Sequence, residues 1–239
     1  MTQFDTSRRD LLAAGALLAG IGGTAGAALA ASAPASAPSP ASPAAFTPQA
    51  LPFAPASLGW LSEKIITSHH DNNYVGAVKR LGAIRSEFAQ LDIAAAPGFQ
   101  INGLKREELI AWNSMVIHEL YFAGLGRAET ISPALDKAVE QSFGSQQRWA
   151  AEFAAMGKAL GGGSGWVLLV WSPRDRMLTN QWAADHSMTL AGGVPLLALD
   201  MYEHAYAMDF GAKAAAYVDA FMSGFGWGQA NRIFASLKA

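Results

Sequence analysis

The 239-residue chain has no cysteine, only five histidines and few charges: Asp, Glu, Lys and Arg make up 15% of it. The lack of cysteine excludes disulfide scaffolds, thiolate zinc sites, iron–sulfur ligation and cysteine nucleophiles. Seventeen basic residues against nineteen acidic ones give a formal net charge of −2. Charge therefore supplies no argument for nucleic acid or an anionic membrane surface as a partner. Proline is scarce outside one stretch, with seven of the eleven between Ser32 and Pro55. What is abundant is apolar surface, 51% of residues, more than a typical soluble domain carries. The length suits one domain or two small lobes. With thiols absent, the chemistry falls to His69, His70, His118, His186 and His204.

Part of the apolar excess lies at the N-terminus. Arg8-Arg9 stands before an uncharged, Ala- and Gly-rich stretch from Leu11 to Ala31. This resembles a twin-arginine export signal, and Ala28-Leu29-Ala30 fits a small-residue cleavage site. A membrane anchor is the alternative, since about 20 apolar residues can span a bilayer. Five glycines between Gly15 and Gly26 weaken that span. The expectation is an exported, periplasmic protein with no stable membrane association after cleavage. The Ala/Ser/Pro segment up to Pro55 reads as an extended linker unable to bury a core. The expected organisation is a signal over 1–30, a linker over 31–50, a helical hairpin lobe over 51–128 and a second lobe over 129–239.

Apolar residues recur at helical spacing from Leu58 to about Leu91, and Pro97-Gly98 interrupts the chain. A second helix is expected from about Lys105 to Leu125, with Leu109, Trp112, Val116, Leu120 and Ala123 as its apolar stripe. Ser132-Pro133 opens a third helix, and a fourth runs from Gln146 to Leu160. Trp166–Trp171 is then a short apolar run suited to a buried strand. Arg174-Asp175-Arg176 turns it toward a hairpin partner, Met177 to Ala183. Pro195–Leu199 is another such run, ending on Asp200, before helical spacing returns. Helices, then strands, then helices indicate an α+β fold rather than a βαβ array.

Asp200 and His204 flank three residues at the end of a strand, where side chains are held firmly. Imidazole and carboxylate together suit iron or manganese. Alone, this spacing is more often a capping Asp and a partly buried His. His118 lies within a helix, and adjacent helical residues such as His69 and His70 point about 100° apart, so at most one of that pair is a ligand. Taken together, the segments Leu61–Asp71, Val116–Phe122, Ser142–Ser145, Gly163–Trp166 and Asp200–Tyr206 resemble the motifs of the iron/manganese superoxide dismutases, in order and spacing.

That resemblance implies a helical hairpin lobe followed by a lobe with a three-stranded antiparallel sheet flanked by helices. It also implies one iron or manganese ion per subunit, bound by His69, His118, Asp200 and His204, with His70 as the rival first ligand. Superoxide would be the substrate. The expected assembly is a homodimer or a tetramer, Glu203 reaching toward the partner subunit's His204. Trp166 and Tyr202 would line the pocket, Tyr202 standing where the family has Trp.

Departures from the family pattern fall around the metal. The family's Tyr follows the first ligand by about eight residues, whereas Tyr74 follows His69 by five. On an α-helix, about 100° per residue leaves Tyr74 on roughly the same flank, one turn closer, as a proton relay. Ser114 stands where some members place a Gln near the bound solvent. Its small side chain leaves room for His186 as a substitute, which would tune the metal's potential. The implied activity is dismutation of superoxide to dioxygen and hydrogen peroxide. A catalytically weak or inactive metal-binding relative is the alternative, and an O₂-activating iron site with two His and one carboxylate is a third.

Overall fold

The computed structural model describes residues 46–126 and 129–237. The expected export signal, its cleavage site and most of the linker lie outside these residues. The described residues belong to one compact unit. Among them, no helix is long and apolar enough to cross a membrane.

The first helical stretch is not one α-helix. α1 spans Glu63–Ser68, a π-helical segment spans His69–Tyr74, and α2 spans Val75–Gln90. Ser62 caps α1 by accepting from the Ile65 amide. The same residue's N–H and hydroxyl donate to the Asp209 carboxylate, at 2.6 and 2.7 Å. A π turn closes i to i+5, so His69 and Tyr74 come onto one face and both are buried. The α-helical rotation expected from sequence is thereby corrected. Helix interruptions of this kind concentrate at functional sites.

α3 spans Gly98–Leu125 and begins earlier than expected, directly after Pro97 in an extended conformation. Its expected stripe is corrected in part: Leu120 is buried and Val116 packs against the core as expected. Leu109 and Trp112 are exposed, whereas Ala111, Ser114, Met115, Ile117, His118, Tyr121, Phe122 and Leu125 are buried. Beyond Ala111 the helix is covered on most sides, so apolar spacing alone could not single out the inward face. α2 and β3 both pack against α3.

α4 (Pro133–Phe143) starts with Ser132 accepting from the Leu135 amide and ends at Gly144, whose φ of 86° suits glycine. Ser145 then caps α5 (Gln146–Ala159) through the Arg148 amide. β1 (Trp166–Ser172), β2 (Met177–Ala183) and β3 (Val194–Asp200) form an antiparallel sheet in the order β2-β1-β3. The β1–β2 hairpin is as expected. Its register pairs Trp166 with Ala183, and on the other side Trp166 pairs with Asp200. The β1–β3 ladder shifts between Leu169 and Val170. β1 is buried along most of its length, which its unbroken apolar run requires. The short α6 (Ala207–Phe210), then α7 (Ala214–Gly224) and α8 (Gly228–Ser236), complete the α+β fold.

One further correction concerns residues 46–55. Phe46, Leu51 and Phe53 pack against the core. Three large apolar side chains suffice to hold this proline-containing stretch to the body, so the linker cannot extend to Pro55.

Candidate metal centre

Four elements deliver one side chain each to one point. His69 begins the π segment, His118 lies on α3, Asp200 ends β3, and His204 sits in a 3₁₀ turn over Glu203–Ala205. One ligand atom from each lies within 4.8 Å of all the others. Nε2 of His69, His204 and His118 stands 3.1, 3.4 and 3.7 Å from Asp200 Oδ2. Ligand atoms held about 2.1 Å from a common ion must lie roughly 3–4 Å apart, and these spacings match. All four atoms are buried and lack a hydrogen-bond partner. Buried polar atoms are ordinarily satisfied, so four orphans aimed at one point fit a cation.

The remaining donor and acceptor groups fix these ligands. His118 Nδ1 donates to the Ser114 carbonyl at 2.6 Å, which leaves the Nε2 lone pair free for an ion. Asp200 Oδ1 accepts from the Tyr202 amide at 2.8 Å, turning Oδ2 toward the histidines. Burial lowers the basicity of His69. Burial, with His69 beside it, brings the His118 pKa down to about 3. Burial opposes charging of Asp200, yet the neighbouring His204 and His69 hold its carboxyl well below the ordinary range. The set is thus three ring nitrogens and one carboxylate, a nitrogen–oxygen donor set suited to iron or manganese.

His70 is not part of this set. Its Nδ1 meets Asp71 Oδ1 at 2.8 Å and its Nε2 donates to the Gln49 carbonyl at 2.9 Å. The choice between adjacent histidines falls to His69.

The structure brings His186 to the site. Its ring stacks on Tyr202 at 5.2 Å, lies 5.8 Å from the His118 ring and 5.6 Å from Trp166. Its Nε2 is buried without a partner, and burial lowers its pKa. Trp166 is fully buried with its ring 5.1 Å from His118. Tyr202 stacks on His204 at 5.3 Å. Glu203 is exposed beside His204.

Tyr74 is not brought to the cluster as a relay. Its hydroxyl accepts from the Gln49 amide at 2.8 Å and donates to Glu119 Oε1 at 2.9 Å. Its ring lies against His70 and Phe122. Burial pushes its pKa up to about 12. The relay expectation assumed an ordinary helix and could not see Glu119, which replaces the cluster as the partner of this hydroxyl.

Sequence reasoning also missed Asn113, whose amide donates to the His186 carbonyl at 2.6 Å. Its place one residue before Ser114 was the available signal. Tyr121 was missed as well: its ring lies tilted against His69 at 5.2 Å, and its hydroxyl is 3.1 Å from that of Tyr217.

Fold and site together define a protein with one mononuclear centre of three imidazoles and a carboxylate, mounted between a helical hairpin and a small sheet. The family described as "Iron/manganese superoxide dismutases, C-terminal domain" matches residues 131–233. A "Superoxide dismutase [Fe]" of Cupriavidus metallidurans is 65% identical over 182 residues, covering 76% of this chain and 92% of that one. A "Superoxide dismutase [Mn]" of Haloarcula marismortui is 31% identical over 176 residues, covering 71% and 83%. A "Superoxide dismutase [Fe]" of Aquifex pyrophilus is 31% identical over 191 residues, covering 75% and 87%. The chain belongs to the iron/manganese superoxide dismutase family.

Proposed function

We infer that this chain disproportionates superoxide to dioxygen and hydrogen peroxide, using one redox-active ion held by His69, His118, Asp200 and His204. The observation that carries this reading is the convergence of four buried, unpartnered ligand atoms within 4.8 Å. When bound, the ion supplies an electron sink for one superoxide and an electron source for the next. Iron is favoured, because the relative at 65% identity is named as an iron enzyme.

The chain's own residues supply position and protons. Reduction of superoxide to hydrogen peroxide consumes two protons. The Tyr202 hydroxyl lies 3.5 Å from His186 Nδ1. With that hydroxyl as donor, the neutral His186 ring keeps its proton on the buried Nε2. Trp166, Phe122 and Tyr121 pack around the ligand rings and exclude bulk water. His204 is the ligand left partly open to solvent, with 28% of its side chain exposed.

The Arg8-Arg9 signal supports export to the periplasm in folded form, which would let the ion be loaded beforehand. The exposed carboxylate of Glu203 beside His204 supports a homodimer closed across this opening. The test is stopped-flow superoxide decay on full-length protein of known metal content. Decay that accelerates in proportion to bound iron or manganese is expected. One ion per chain without acceleration would favour the inactive metal-binding reading instead.

A further inference from the structure

We propose that residues 46–53 form a brace joining the two helical segments that carry His69 and His118, and that this brace sets how slowly the ion leaves. The proposal rests on the metal-site reading above. The backbone of one residue, Gln49, holds the π segment at two points, and from that segment the Tyr74 hydroxyl reaches α3. Its carbonyl accepts from Nε2 of His70, the residue after ligand His69, at 2.9 Å. Its N–H donates to the Tyr74 hydroxyl at 2.8 Å. That hydroxyl donates onward at 2.9 Å to Glu119, the residue after ligand His118. Asp71 holds the other nitrogen of His70 at 2.8 Å and so fixes its ring.

The strap is anchored on both sides of Gln49. Phe46 meets Trp112 edge to face at 5.9 Å, and the Arg85 guanidinium covers the Phe46 ring at 4.7 Å. On the other side Leu51 and Phe53 pack against the core, and the Phe53 ring lies where a Cβ on Gly126 would stand. Between these anchors, a cavity of about 430 Å³ is lined by Gln49, Tyr74, Glu119, Phe122, Gln229 and Ile233. Close packing therefore does not duplicate the three hydrogen bonds. A site whose ligands come from separate elements holds its ion only while those elements stay together. Outer hydrogen-bond partners of metal sites are commonly worth 10- to 100-fold in affinity.

The experiment measures transfer of iron or manganese from the loaded full-length protein to excess chelator. Unfolding midpoints of the metal-free proteins are recorded beside it. Tyr74→Phe breaks both hydroxyl bonds, and Glu119→Leu removes the acceptor; each is expected to release the ion about tenfold faster or more. Glu119→Gln keeps an oxygen acceptor for Tyr74 and is expected to release near the wild-type rate. Gln49→Ala, which preserves the peptide, should do the same, whereas Gln49→Pro lacks the N–H and should release faster. A merely structural role would lower the metal-free midpoints in step with the release rates. That outcome, or wild-type release from Tyr74→Phe, overturns the brace while leaving the site intact. A wild-type protein that takes up no ion overturns the metal-site reading and the brace together.

Discussion

At the scale of residues, the centre depends on His69 and His118, kept neutral by burial, and on one carboxylate kept charged. His118→Ala and Asp200→Ala are each expected to abolish stoichiometric metal binding, read by elemental analysis of the purified proteins. His70→Ala is expected still to bind one ion per chain, because its nitrogens face Asp71 and Gln49. The metal-free protein should also lose stability in acid. The folded-state pKa of His118 lies at about 3, against an unfolded value near 6.5. Between these values the unfolded chain binds a proton that the native chain does not. Stability from this group is therefore complete above about pH 6.5 and falls with pH, by about 1.4 kcal/mol per unit. His69, shifted in the same direction by burial, adds to the slope. A thermal midpoint of metal-free protein unchanged between pH 7 and 5 would contradict this.

At the scale of elements, the site is set by how β1 enters the sheet. Gly165 has φ of 131°, and a Cβ there would collide with the Ala183 carbonyl. Its own carbonyl accepts from the Met201 amide at 2.9 Å, just past ligand Asp200. Gly165→Ala is expected to destabilise by about 2 kcal/mol or more, and to lower the thermal midpoint of a chain this size by several degrees. The start of α4, the span of α5 and the three strands could be read from sequence to within a residue or so because local signals agree there. Ser-Pro caps, glycines and unbroken apolar runs all point the same way. The π segment and the buried face of α3 could not. A π turn depends on what packs around it rather than on residue type, and a helix covered on most sides offers no contrast between its faces.

For the molecule as a whole, the ligand set was legible through the order and spacing of five segments that together resemble one family; each of its residues alone reads as ordinary. Their support was less so. Gln49 acts through its backbone, which leaves no trace in side-chain identity. Asn113 and Glu119 act across long separations in sequence, 73 residues to His186 and 45 to Tyr74. Since the ligands come from the first helical stretch, α3 and the end of the sheet, the ion ties the fold together. An ion that binds only the native state stabilises it by about 2.7 kcal/mol when free metal stands at 100 times its dissociation constant. Chelation is therefore expected to lower the thermal midpoint, and re-addition of iron or manganese to restore it. Equal midpoints with and without metal would show that the ion does not bridge these elements.

The most direct test of the central claim is anomalous X-ray diffraction at the iron and manganese absorption edges from crystals of the loaded protein. One peak per chain is predicted, about 2.0–2.2 Å from Nε2 of His69, His118 and His204 and from Oδ2 of Asp200. An ion elsewhere, or one that replaces His69 with His70, would contradict the account.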